Sequence, residues 1–198
     1  MHTIRSFIAI PLAPAVGRQA RRLLRQLRRD QDGIKWVPED NLHLTLKFLG
    51  EVVDREVPDV CRAMRRVASG FEPFQIELGG TGGFPNDLRP RVLWAGISAG
   101  GEVLTALVAA LEGELARLGY KPESRDYRPH LTLGRVRSGS RTASTEVVER
   151  LNSQRERQLG QMPVDRLLLQ ASFLDKGGPT YQVMDTVPLG QPTVPGPA

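Results

Sequence analysis

The sequence predicts an α+β fold of two pseudo-symmetric lobes, each an antiparallel sheet with flanking helices, set around a central cleft. Three observations predict it. The tetrapeptide His-Leu-Thr-Leu occurs twice, at 43–46 and at 130–133, and takes up two of the three histidines in the chain. Period-two and period-3.6 apolar patterns recur in a similar order in the two halves. The 198 residues supply enough chain for a sizeable core, as one domain or two closely packed lobes.

Each tetrapeptide is a β-prone alternating run. Successive side chains of a strand point to opposite faces, so His43 and Thr45 share one face and Leu42, Leu44 and Leu46 the other. The second copy sets His130 and Thr132 against Leu131 and Leu133 in the same way. A leucine stripe for a core thus backs an imidazole and a hydroxyl on the opposite surface, which is a rigid mount for polar chemistry.

In chain order, residues 4–12 read as a strand stopped by Pro11 and Pro14. Val16, Ala20, Leu23, Leu24 and Leu27 then recur at helical spacing, with arginines opposite. After a break at 30–33, residues 35–41 form an extended piece and a turn into the first motif strand, which runs to Gly50. Trp36 serves either the core, its ordinary use, or a wall of the site. Residues 54–69 read as a second helix, with Val57, Val60, Cys61, Met64 and Val67 on its apolar face.

Residues 74–78 alternate as a strand, 79–83 (Gly-Gly-Thr-Gly-Gly) read as a flexible hairpin connection, and 91–97 form an apolar strand. A helix over 101–118 carries Leu104, Leu107, Val108, Leu111, Leu115 and Leu118 and stops at Gly119. A polar connection leads to Pro129 and the second motif strand, which continues to Val136. A helix at 142–159 and strands at 164–173 and 181–188 complete the pattern. Residues 1–189 are expected to form one bilobal unit, and 190–198, with three prolines, an unstructured tail.

Composition narrows the function classes. No apolar run reaches the length of a membrane span, and the start goes straight into a strand pattern without a secretory leader, so a soluble, cytoplasmic monomer is expected. The single cysteine, Cys61, forms no intrachain disulfide and reads as a small core residue. A net charge of +5 makes an anionic partner plausible. Much of the basic charge lies on the first helix, at Arg18, Arg21, Arg22, Arg25, Arg28 and Arg29. A solvated helix face is the commoner meaning of such a run, and a nucleic-acid surface is the other.

Two imidazoles and two hydroxyls converging from opposite sides suit in-line displacement at phosphorus. One histidine can be a neutral base and the other a charged acid at the same pH. The hydroxyls of Thr45 and Thr132 can hold non-bridging oxygens, and Arg135, just past the second motif, can supply positive charge. Competing chemistries lack their parts. Two histidines without a third ligand leave a metal site incomplete, and there is no Gly-x-Ser-x-Gly elbow. The glycines at 79–83 are followed by no Lys-Ser or Lys-Thr pair, as a phosphate-cradling loop would need. A non-catalytic nucleotide- or RNA-binding module of the same shape stays open as the alternative.

The words around the motifs resemble a known family. They are 5–10 (Arg-Ser-Phe-Ile-Ala-Ile), 41–51 (Asn-Leu-His-Leu-Thr-Leu-Lys-Phe-Leu-Gly-Glu), 89–96 (Arg-Pro-Arg-Val-Leu-Trp-Ala-Gly) and 128–135 (Arg-Pro-His-Leu-Thr-Leu-Gly-Arg). Together they resemble the two-histidine phosphoesterase superfamily and, within it, the RNA 2′,3′-cyclic phosphodiesterases of the LigT-like (ThpR) group. The likeness runs from about residue 3 to 188. It implies a bilobal α+β fold and cofactor-free, metal-independent opening of a terminal RNA 2′,3′-cyclic phosphate to a 2′-phosphomonoester, with 2′-5′ RNA ligation as the reverse reaction. It also implies His43 as proton donor and His130 as proton acceptor, with Arg135 near the phosphate; Thr45 and Thr132, read above from the facing motifs, complete the expected substrate-binding residues.

Overall fold

The computed structural model describes residues 2–124, 126–175 and 178–191. Among the described residues, nine strands and four helices follow one another along the chain: β1 (Thr3–Pro11), α1 (Pro14–Leu27), β2 (Ile34–Trp36), β3 (His43–Val53), α2 (Val57–Ala68), β4 (Phe74–Phe84), β5 (Val92–Ala99), α3 (Gly101–Ala116), β6 (His130–Val136), α4 (Thr145–Asn152), β7 (Gln158–Val164), β8 (Arg166–Asp175) and β9 (Gly178–Pro188). All recorded pairings are antiparallel. The strands join into one sheet in the order β7-β4-β5-β6-β3-β1-β8-β9, with β2 added to β6.

The two lobes are the halves of this sheet, and the motif strands β3 and β6 meet at its centre. They are not the two halves of the sequence. β8 and β9, from the end of the chain, complete the sheet of β1 and β3, whereas α1, from the beginning, packs on β7 and α4 in the other lobe. α2 packs against α3, β8 and β9. The chain therefore crosses between lobes repeatedly, and neither lobe is a contiguous segment.

The helices form where their apolar stripes have a sheet to cover. Val16, Ala20, Leu23, Leu24 and Leu27 of α1 are all buried, and Pro14 starts the helix at a position where a missing N–H costs nothing. Leu104, Leu107, Val108, Leu111 and Leu115 of α3 join the same core, but Leu118, beyond the end of the helix, is 39% exposed. Cys61 is buried on α2. Its thiol pKa is pushed up to about 12, chiefly by burial and then by Asp185. Trp36 packs against the core, its ordinary use, and donates from Nε1 to Asp32 at 3.1 Å.

Three sequence expectations give way. The glycine run 79–83 is not a hairpin connection but part of β4, paired with β5 on both sides of a bulge at Gly80 and with β7 up to Gly79. Its glycines permit close approach: a Cβ at Gly82 would strike the Trp94 indole, and Gly80 takes φ +71° at a bulge. The last helix is shorter than 142–159, because Ser153 closes it on the Glu149 carbonyl. Leu159, Met162 and Val164 then form the buried side of β7, a strand in its own right. The final strands begin and end up to three residues away from their expected limits. Of the expected tail, residues 192–198 lie outside the described residues.

Candidate functional site

The single Cα pairing between the motif strands is Leu44↔Leu131. Both leucines are fully buried among the helices, so the polar residues that flank them, His43, Thr45, His130 and Thr132, lie on the opposite face of the sheet. In antiparallel register one step out from that pair, His43 comes opposite Thr132 and Thr45 opposite His130. The two histidines are then diagonal neighbours, about 7–8 Å apart in a regular ladder. A local twofold axis through the leucine pair relates the two motifs.

The backbone orients both rings alike. His43 Nδ1 lies 2.7 Å from the carbonyl of Asn41, and His130 Nδ1 lies 2.6 Å from the carbonyl of Arg128. A carbonyl only accepts, so each Nδ1 carries the proton and each Nε2 carries the lone pair of the neutral ring. The Nε2 atoms differ in what they meet. Thr45 Oγ1 donates to His43 Nε2 at 3.0 Å, whereas His130 Nε2 makes no hydrogen bond among the described residues.

Aromatic rings fix the imidazoles from the side. Phe7 stacks on His43 at 4.9 Å, and Tyr181 stands edge-on to it at 5.3 Å. Phe84 stands edge-on to His130 at 5.0 Å. These neighbours desolvate both histidines and lower both pKa values from the ordinary range, and the backbone hydrogen bonds oppose the shift only in part. His130 is lowered further by the charge of Arg135.

A bulge decides where Arg135 points. Strict alternation from His130 would put residue 135 on the core face. The register shift between Leu93 and Trp94 leaves Leu133 and Gly134 both buried and returns Arg135 to the open face with His130 and Thr132. The first motif bulges at the equivalent place. Leu46 and Lys47 are both buried and Phe48 is turned out, 52% exposed. The local symmetry therefore sets Phe48 against Arg135. Burial raises the Tyr181 pKa, and the charges of Arg135 and then Arg5 oppose that shift, so both cations bear on the ring beside His43.

All five residues singled out from the sequence thus share one face of the sheet. The sequence reading missed Phe7, Tyr181 and Phe84, which pack on the imidazoles, and Tyr127, whose hydroxyl donates to the Thr45 carbonyl at 3.1 Å. Phe7 lay within a quoted word but carried no polar signal, and Tyr181 reaches the site only through the pairing of β9 with β8. A hollow of about 360 Å³ borders His43, Tyr181 and Gln170. Among the described residues no three of His, Cys, Asp and Glu gather as a metal site would require, and no helix is long and apolar enough to cross a membrane.

This duplicated architecture has relatives. The sequence matches the family described as LigT like Phosphoesterase over residues 10–94 and again over 97–181. The chain belongs to that LigT-like phosphoesterase family. The starts of the two matched segments, Ile10 and Ile97, are related by the same shift that carries His43 onto His130 and Pro14 of α1 onto Gly101 of α3. The RNA 2′,3′-cyclic phosphodiesterase of Methanothermobacter thermautotrophicus is 34% identical over 92% of this chain and 97% of its own length. That of Aquifex aeolicus is 31% identical over 96% of this chain and 100% of its own. Among solved structures, TT0787 of Thermus thermophilus superposes with a TM-score of 0.77 at 30% identity, covering 94% of this chain and 98% of that one. E. coli LigT complexed with 3′-AMP gives 0.76 at 27% identity, covering 96% and 100%.

Proposed function

We propose that this chain hydrolyses the terminal 2′,3′-cyclic phosphate of RNA to a 2′-phosphomonoester, with His43 as proton donor and His130 as proton acceptor. The observation that carries the reading is the pairing of Leu44 with Leu131. It sets two backbone-oriented imidazoles diagonally on one face, each offering Nε2 to a ligand between them. The relatives similar to it over nine-tenths of its length are RNA 2′,3′-cyclic phosphodiesterases. A nucleoside phosphate in E. coli LigT, 3′-AMP, has the ribose and phosphate such a site would hold.

In the reaction, His130 Nε2 removes a proton from water as the water oxygen bonds to phosphorus. The bond from phosphorus to O3′ breaks on the far side, and protonated His43 gives its Nε2 proton to the departing oxygen. The product is a 3′-hydroxyl beside a 2′-phosphomonoester, and proton exchange with solvent resets the pair. The asymmetry of the site supports these roles. Arg135 disfavours a proton on His130, the base, and its charge stands where the phosphorane-like transition state is anionic. Thr45 and Thr132 hold non-bridging oxygens, with Thr45 turning its hydroxyl from His43 to the ligand. The chemistry calls on no cofactor or metal.

Residues 1–189 act as one catalytic unit in this reading, and a monomer suffices because both motifs come from one chain. The one cysteine is buried and suits a reducing cytoplasm. The test is an RNA ending in a 2′,3′-cyclic phosphate, incubated with the protein and a chelator. A 2′-phosphate end is expected. A 3′-phosphate end, no product, or turnover only on adding a divalent ion overturns the proposal.

A further inference from the structure

The arginine face of α1 is connected to His43. Arg18, Gln19, Arg21, Arg22, Arg25 and Gln26 line an open groove of about 700 Å³. Arg21 borders this groove and also the hollow that reaches His43 and Tyr181 past Pro11 and Gly17. The groove and the histidine therefore lie along one surface path.

Few of the charges on that path have a paired acid, although the Glu39 carboxyl feels Arg21 as well as Arg25. α1 contains no acidic residue. Arg25 is paired, donating from Nε to Glu39 at 2.7 Å and holding the Glu39 carboxyl below its ordinary range. Arg18, Arg21 and Arg22 make no ion pair or hydrogen bond among the described residues. Among those residues, Asp40 is the one unpaired carboxylate bordering the hollow. Like charges three and four residues apart weaken a helix. Here packing of the opposite, apolar stripe of α1 keeps four such arginines side by side on the open face. Arg157 extends the basic rim by donating to Gln19 at 3.4 Å.

We propose that this groove binds the ribose-phosphate backbone of the RNA strand upstream of its cyclic end. The inference rests on the reading of the histidine site given above. A 2′,3′-cyclic phosphate closes the 3′ end of a strand, so the rest of the substrate leaves the site in the 5′ direction. The path through Arg21 offers that strand a row of guanidinium forks, the side chain best shaped for phosphate. Such contacts fix position without reading sequence, so the site favours RNA over mononucleotides while accepting many RNA sequences.

The test compares two substrates, a nucleoside 2′,3′-cyclic monophosphate and a single-stranded oligoribonucleotide with the same terminus. The variant is Arg18→Glu/Arg22→Glu, two exposed positions away from the core. KM for the oligoribonucleotide should rise about tenfold, with the salt dependence of log KM shallower by about 1.4 for two lost phosphate contacts. Kinetics on the mononucleotide should not change. Arg62→Glu/Arg117→Glu, an equal charge change on α2 and beyond α3, should leave both substrates unaffected. An unchanged oligoribonucleotide KM, an equal loss on both substrates, or an equal effect of the control pair overturns the proposal. Fluorescence anisotropy with an oligoribonucleotide already bearing the 2′-phosphate measures the same contacts without turnover. It therefore separates failure of the groove from failure of the phosphodiesterase reading.

Discussion

The hydroxyl of Tyr127 donates to the backbone carbonyl of Thr45 at 3.1 Å, tying the segment that leads into the second motif to the strand of the first. One residue further on, the Arg128 carbonyl accepts from His130 Nδ1. The tether thus runs from one half of the site to the group that orients the histidine of the other. Tyr127→Phe should cost about 1 kcal/mol of stability by urea denaturation, the net worth of one hydrogen bond. It should also lower kcat more than it raises KM, and an unchanged kcat would show that the tether does not position His130.

Removing either imidazole removes a proton-transfer partner. His43→Ala and His130→Ala should each lower turnover by about a hundredfold to ten-thousandfold, with circular dichroism unchanged. The two variants separate when the 3′ leaving group is activated, because departure then needs little protonation. Such a substrate should restore His43→Ala far more than His130→Ala. The opposite pattern would exchange the roles of acid and base.

The lowered histidine pKa values set the pH dependence. The active form carries one proton on the pair, so kcat/KM should be bell-shaped with both limbs below the ordinary histidine value of about 6.5. Bound phosphate stabilises the imidazolium, and the kcat profile should lie to the alkaline side of the kcat/KM profile. The sign for stability follows from the same shifts. The unfolded chain takes up its histidine protons near pH 6.5 and the folded chain only at lower pH, so acidification through that window favours unfolding. Urea denaturation of wild type against His43→Gln/His130→Gln measures this. A variant with the same loss of stability on acidification would show that other groups cause it.

Two glycine-to-alanine changes should have opposite signs. Alanine at Gly82 collides with the Trp94 indole and should destabilise by about 1–3 kcal/mol, as overpacking does. Gly113 lies within α3 with nothing within 4 Å of its added Cβ. Alanine there should stabilise by about 0.4–1 kcal/mol. Thermal denaturation of the pair checks whether the glycines of β4 serve close packing or flexibility.

The sequence by itself determined the two motif strands, the faces on which their histidines, threonines and leucines lie, and the apolar stripes of α1, α2 and α3. These are local properties: a strand or helix converts spacing along the chain directly into a face. The repeated tetrapeptide also announced the duplication that the family match makes explicit. Only the tertiary structure decided how the copies meet. Antiparallel pairing at Leu44↔Leu131 joins residues far apart in the chain, and no local pattern encodes that register. The interleaving of the lobes, the strand through the glycines of β4, and the arrival of Tyr181 beside His43 likewise depend on partners distant in sequence. Arg135 shows the division within one residue. Alternation alone would send it into the core, and a single extra residue opposite β5, required by the pairing and invisible along the chain, returns it to the face where the histidines lie.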